Sequence, residues 1–73
     1  MQTTDVMLHF SDPLSQDQEH EIEDRMRAVD GVTAPRFNMP QTLMILYDSD
    51  KTNSADLLHT VKSWGYEAHL IGL

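Results

Sequence analysis

The chain begins with the two-residue period of a β-strand that buries one face. Its apolar side chains Val6, Leu8 and Phe10 fall on one side, and Met7 and His9 fall on the other. We therefore predict a first strand with Met7 and His9 on the face turned away from the core.

A three- and four-residue period follows between positions 14 and 29, where apolar residues recur among acidic ones. This spacing predicts an amphipathic helix. Ser15 and Gln18 have the Ser-x-x-Gln form of a capping box, in which each side chain binds the other residue's backbone N–H at the helix start. Gly31 is predicted to end the helix, because glycine readily adopts the left-handed backbone found there.

The rest of the chain predicts two more strands, a second helix and a last strand. Positions 32–39 read as a strand, and Pro35 places it at a sheet edge, since proline lacks an N–H. A tight turn separates this strand from another at 43–47. Asn53 begins a helix that ends at Gly65, and positions 66–73 form the last strand.

The order β-α-β-β-α-β predicts an α+β ferredoxin-like sandwich with positions 1–73 as a single domain. Right-handed crossovers place both helices on one face of a four-stranded antiparallel sheet and leave the other face open. The residues that we expect the helices to cover are Val6, Leu8, Phe10, Val32, Phe37, Leu43, Ile45, Ala68 and Leu70.

Charge and composition narrow the function. The 73 residues include 12 acids and 5 bases, for a formal net charge of -7. The resulting negative electrostatic potential repels nucleic acid and anionic lipid and favours a basic protein partner. No signal peptide and no membrane-spanning run is recognisable, so we predict a cytoplasmic location without membrane insertion. The chain has no cysteine, which excludes thiolate metal sites and disulfides.

Four short motifs, taken together in their order and spacing, resemble those of heavy-metal-associated domains. This family includes copper chaperones, mercury-binding proteins and the amino-terminal modules of metal-pumping ATPases. The resemblance covers nearly the whole chain and implies the same ferredoxin-like fold. The motifs are Asp30-Gly31-Val32, Phe37-Asn38, Tyr47-Asp48 and Gly65-Tyr66.

The family's metal site is what this chain lacks. In the family, a Cys-x-x-Cys motif between the first strand and the first helix holds Cu(I), Zn(II) or Hg(II). Aligned on Gly31, the two cysteines correspond to Ser15 and Gln18. A hydroxyl and a carboxamide do not replace thiolates for soft ions. We therefore predict no metal at Ser15 and Gln18 and no cofactor for the chain.

Histidine and methionine offer an alternative metal site. His9 and His69 are expected on the open face, on neighbouring strands, and Met7 and Met44 share that face. Such a set suits copper, zinc or nickel. The other interpretation, two ordinary surface histidines, stays open because no ligand-spacing motif supports the site.

The same open face carries a candidate partner-binding surface. Met7, Met44, Leu46 and Ile71 are expected to point away from the core, and Leu73 extends the set. A contiguous apolar patch often marks a contact site, whereas scattered surface hydrophobes are ordinary. Both interpretations stay open.

No catalytic residues are recognisable, because the chain has no nucleophile–base grouping and no phosphate-binding loop. We predict a non-enzymatic protein-interaction or accessory module that is related to metal-handling proteins and docks a protein, or a second copy of itself, through the open face or the acidic first helix. Alternatives are a transition-metal carrier or sensor with His/Met ligands, and a small-ligand regulatory domain.

Overall fold

The predicted element order and fold are confirmed. The structure, a computed structural model, describes residues 2–71. Its four strands form one antiparallel sheet in the order β2-β3-β1-β4, which is the ferredoxin-like arrangement. The elements are β1 (Thr3–Phe10), α1 (Gln16–Arg27), β2 (Val32–Met39), β3 (Thr42–Asp48), α2 (Ser54–Ser63) and β4 (Ala68–Leu70).

Strand β2 lies at a sheet edge, as Pro35 predicted. The Pro35 side chain itself is fully buried opposite Ile45 of the central strand β3. One of the edge-strand donors, the Phe37 backbone N–H, is bound 2.9 Å from the Glu23 carboxylate of α1. A helix side chain thus satisfies a backbone group that has no strand beside it.

The core lies between the sheet and the two helices. Six of the nine residues expected beneath the helices are buried, and Val32 and Phe37 are partly buried against them. Leu70 is the exception. It lies opposite the buried Leu8, on the core side of the sheet, but it stays 39% exposed because β4 is a short edge strand. The prediction that Leu70 is covered was wrong.

Helix α1 is shorter than predicted at its C-terminal end. It ends at Arg27, and the Ala28 N–H closes the last turn. Gly31 instead sits in the turn before β2 with a φ of 92°. A Cβ atom there would lie 2.9 Å from the Cβ atom of Lys51, so glycine is required by space as well as by backbone conformation.

Helix α2 begins as predicted. The Asn53 side chain accepts a hydrogen bond of 2.8 Å from the Asp56 N–H, while Leu57 and Val61 are fully buried. Trp64 packs partly against the core, with the Arg25 guanidinium 5.7 Å from its ring centre. In residues 2–71, neither helix is long and apolar enough to cross a membrane.

The last strand is shorter than predicted. β4 comprises only Ala68–Leu70, whereas the sequence predicted a strand over 66–73. Ile71 still donates its N–H to the Met7 carbonyl at 3.0 Å, which continues the pairing by one residue. The end of the prediction, which includes Leu73, lies outside the described residues.

Candidate functional site

The loop between β1 and α1 forms the predicted capping box. The Ser15 hydroxyl accepts a hydrogen bond of 3.1 Å from the Gln18 N–H, and the Gln18 Oε1 accepts one of 2.9 Å from the Ser15 N–H. Asp17 and Glu19 place negative charge in the first turn, where it interacts favourably with the helix dipole. Each side chain therefore satisfies a backbone N–H of the other residue at the start of the helix.

The same pair of residues supplies poor ligands for a soft metal. A neutral hydroxyl and a neutral amide oxygen are hard donors, and here both oxygens already accept hydrogen bonds. Within residues 2–71 no three His, Cys, Asp or Glu side chains are grouped so that they could hold an ion. The absence of metal at Ser15 and Gln18 remains a prediction.

The end of β1 that leads into this loop is held by two other segments of the chain. The Gln41 side chain donates to the Phe10 carbonyl at 2.9 Å, and the Phe10 N–H donates to the Gln41 carbonyl at 2.7 Å. Ser11 is bound through its N–H to the Glu67 carbonyl at 3.0 Å. The Phe10 ring packs edge-on to Tyr66, with 5.8 Å between ring centres. The loop therefore starts from a fixed position.

Gln41 has a left-handed backbone, with a φ of 60°. It closes the turn between β2 and β3, where its side chain reaches the end of β1. The sequence predicted the tight turn but not this link between the turn and the loop.

The open sheet face carries the predicted apolar set in a contiguous row. Met7 of β1 lies directly opposite Met44 of β3, and the hydrogen bond from Ile71 places that residue on the other side of Met7. Leu46 is the next outward residue of β3 after Met44. All four side chains are half-buried, as expected where they cover one another on an otherwise open sheet. Their predicted placement is confirmed, and their role as a binding surface remains a prediction.

Three further residues belong to this face and were not predicted as part of it. Arg36 lies opposite Met44, Ala34 lies opposite Leu46, and Asp5 lies opposite Leu46 on the other side. The two-residue period alone does not find the β2 members, because β2 has two register irregularities where it pairs with β3. We refer to Met7, Met44, Leu46 and Ile71 as the apolar patch and to Asp5 and Arg36 as its charged rim.

The two histidines predicted to be neighbours are brought together. His9 and His69 are direct cross-strand partners, and their ring centres lie 5.2 Å apart with 47° between the ring planes. His9 is half-buried and His69 is exposed. The Nδ1 atom of His9 is buried, with no hydrogen-bond partner among the described residues. The sequence predicted the neighbourhood, but not this unsatisfied nitrogen.

A shallow cleft lies at the opposite end of the sheet from the β1–α1 loop, and it contains one buried carboxylate. Asp48 is 6% exposed, and its Oδ1 accepts hydrogen bonds from the N–H groups of Asp50 at 3.0 Å and Gln2 at 3.3 Å. The bond from Asp50 lowers the pKa of Asp48 below its ordinary value, against the opposing effect of burial. The carboxylate thus holds the turn after β3. The cleft residues are Ala28, Val29, Asp30, Gly31, Val32, Thr33, Asp48 and Lys51.

Comparison with known proteins finds similarity in structure and not in sequence. No protein-family profile matches the chain, and no curated protein matches it. Oxidized MerP from Ralstonia metallidurans superposes with a TM-score of 0.85 at 17% identity, over 97% of this chain and 100% of that one. The N-terminal domain of a potential copper-translocating P-type ATPase from Bacillus subtilis, solved in its Cu(I)-loaded state, gives 0.81 at 22% identity, over 97% and 90%.

A third solved structure, the CopZ metallochaperone, superposes with a TM-score of 0.80 at 18% identity, over 90% of this chain and 100% of that one. At these identities the likeness establishes the fold. It agrees with the resemblance carried by the four short motifs, and it extends over almost the whole chain.

Proposed function

We propose that this chain is a protein-docking module related to metal-handling proteins, which contacts its partner through the open sheet face. Its fold is that of MerP and CopZ, but it has no cysteine with which to hold a soft ion. The segment that carries the thiolates in the resembling family is here a capped helix start. The proposal therefore assigns binding to a surface outside that segment.

The observation that carries the proposal is the apolar patch. Met7, Met44 and Leu46 form a continuous outward-facing group on the two central strands, extended by Ile71, while both helices lie on the other side of the sheet. Apolar side chains flanked by charged ones, here Asp5 and Arg36, resemble the core and rim of a protein interface. Methionine adapts its shape to irregular contacts, so two adjacent methionines suit a partner surface.

The charge of the chain indicates the chemistry of the partner. A formal net charge of -7 favours a basic protein and opposes the approach of a second copy. Asp5 lies beside the patch, directly opposite Leu46. The partner that fits is therefore a different protein with an apolar contact region and a net positive charge, since the rim itself carries one acid, Asp5, and one base, Arg36.

The proposed module is non-enzymatic. The one buried carboxylate in the cleft, Asp48, accepts hydrogen bonds from two backbone N–H groups that hold a turn. These hydrogen bonds favour the ionised form of the carboxylate, which in turn stabilises the local backbone. A binding role accounts for the apolar patch and the net charge, and it requires no catalysed reaction.

Replacing Leu46 by aspartate is expected to abolish partner binding. The substitution places a charge within the apolar patch, where desolvating it opposes contact. His59→Asp is the matched control, because it adds an aspartate on an exposed position of α2, in the helix layer. Both variants are compared with the wild type by cross-linking in extracts of the native host. The partner is then purified, and its affinity is measured by calorimetry at two salt concentrations.

The proposal predicts a partner that binds the wild type and His59→Asp with equal affinity, binds Leu46→Asp at least about tenfold more weakly, and loses affinity as salt rises. Circular dichroism of Leu46→Asp checks that the variant is folded. Equal binding by a folded Leu46→Asp would contradict the proposal. A tight homodimer in light scattering would contradict the choice of a basic partner.

A further inference from the structure

A pair of imidazoles lies at one end of the open face, beside the apolar patch. His9 and His69 are direct partners across β1 and β4, on neighbouring strands of one sheet. Cross-strand partners hold their Cβ atoms about 4.5–5.5 Å apart on the same face. The register thus fixes the two rings side by side, with their centres 5.2 Å apart.

One of the ring nitrogens lacks the partner that a buried polar atom normally has. Nδ1 of His9 is buried and accepts or donates no hydrogen bond within residues 2–71. Burying a polar atom without a partner costs free energy, so most such atoms in folded proteins are bound to protein, water or an ion. A rotation of the His9 side chain that brings this nitrogen to a bound ion would give it the missing partner.

The ring spacing matches a shared ion. A metal ion about 2.0–2.1 Å from an imidazole nitrogen lies about 3.2 Å from the ring centre, and two imidazoles at a tetrahedral angle then have centres about 5.2 Å apart. The observed separation is 5.2 Å. Binding requires the side chains to rotate until one nitrogen of each ring faces the ion, while the strand pairing sets the distance between the two residues.

We infer that His9 and His69 form a two-imidazole site for a divalent transition-metal ion. Neutral imidazole nitrogens suit Cu(II), Ni(II) and Zn(II), in an order that places Cu(II) first. The net charge of -7 raises the local concentration of cations. No third His, Asp or Glu side chain in the described part of the chain joins the pair. Water completes the coordination, and the ion exchanges readily.

The site is tested with Cu(II), Ni(II) and Zn(II) alone, titrated into the full chain in a buffer that does not bind metal and followed by calorimetry. We expect one ion per chain and a loss of at least about tenfold in affinity for His9→Ala and for His69→Ala, since each removes one of two ligands. His20→Ala and His59→Ala are the matched controls, because both side chains are exposed on helices. These controls should bind as the wild type does.

A second readout locates the ion. In long-range proton–nitrogen NMR spectra, the imidazole nitrogen signals of His9 and His69 should shift when Zn(II) is added. Those of His20 should stay unchanged. His69→Ala changes an exposed edge-strand residue, so it remains informative if His9→Ala does not fold.

The inference is overturned if His69→Ala binds as tightly as the wild type, or if removing His20 or His59 costs the same affinity. It is also overturned if no ion binds, in which case the ring pair is a packing contact only. Its failure is distinguishable from failure of the docking proposal. Leu46→Asp tests docking at a residue outside the pair, and the histidine variants leave Leu46 in place.

Discussion

Replacing Ser15 and Gln18 together by cysteine is expected to raise the affinity of the chain for Cu(I) by several orders of magnitude. The capping box holds both side chains at the helix start, where each binds the backbone N–H of the other residue. Two thiolates at these positions, three residues apart at one helix start, would give Cu(I) the polarizable ligands that it prefers. The start of α1 would also favour the thiolate form of both cysteines.

The double variant loses the capping box, which costs about 1 kcal/mol of stability, so its folding should be checked by circular dichroism. Cu(I) affinity is measured by competition with a chromogenic chelator without oxygen. Gln18→Cys combined with Ser54→Cys is the matched control. It has the same number of thiols, but the antiparallel pairing of β1 and β3 places the starts of α1 and α2 at opposite ends of the sheet. Equal affinity in both variants would contradict the proposed geometry of the loop.

Replacing Phe10 by alanine is expected to lower the free energy of unfolding by about 3–5 kcal/mol, the usual cost of emptying a buried aromatic site. A 73-residue domain has a total stability of roughly 4–11 kcal/mol, so the variant should be largely unfolded at moderate urea. Phe10 is 1% exposed, and its ring contacts Phe37 at 5.6 Å and Tyr66 at 5.8 Å between ring centres. Loss of these ring contacts therefore destabilises the end of β1, where the β1–α1 loop starts.

Urea unfolding followed by the fluorescence of Trp64, the chain's single tryptophan, measures the effect. Phe37→Ala is the matched control, since Phe37 is half-buried on the edge strand β2 and should cost clearly less. If the two variants lost equal stability, Phe10 would not be the main support of the loop.

Local patterns were enough to predict most of the fold. The alternation of Val6, Leu8 and Phe10 with Met7 and His9 fixed which side of β1 faces the helices, and the burial of these residues agrees with it. A capping box and an Asn cap depend only on residues three apart, so both helix starts were predicted correctly. The resemblance to heavy-metal-associated domains agreed with the same topology.

Features that depend on tertiary coverage were predicted less well. The strand alternation places Leu70 on the core side of the sheet. How far a helix covers a short edge strand, however, cannot be predicted from the neighbouring residues in the sequence. The end of α1 was placed too late because Gly31 signals a left-handed residue wherever one is needed. Here the turn before β2 needs it, and Lys51 closes the space around it.

The sequence predicted where the candidate-site residues lie, but not all of their chemical properties. Strand phase placed Met7, Met44 and Leu46 on one face and His9 near His69, and the register confirms these placements. It did not identify the unsatisfied Nδ1 of His9, because the burial of a single atom depends on the surrounding side chains. It did not identify Arg36 of the charged rim either, since irregular pairing of β2 decides which of its residues lie beside the patch.

The central claim is that the β1–α1 loop serves as a helix cap and does not hold a soft metal. Titration of the nitrogen-15-labelled wild-type chain with Cu(I), without oxygen and followed by two-dimensional amide NMR, tests it most directly. We expect no saturable shift of the amide signals of residues 15–18, whose capping hydrogen bonds should persist throughout the titration. A saturable shift of the Ser15 and Gln18 signals at micromolar Cu(I) would contradict the claim.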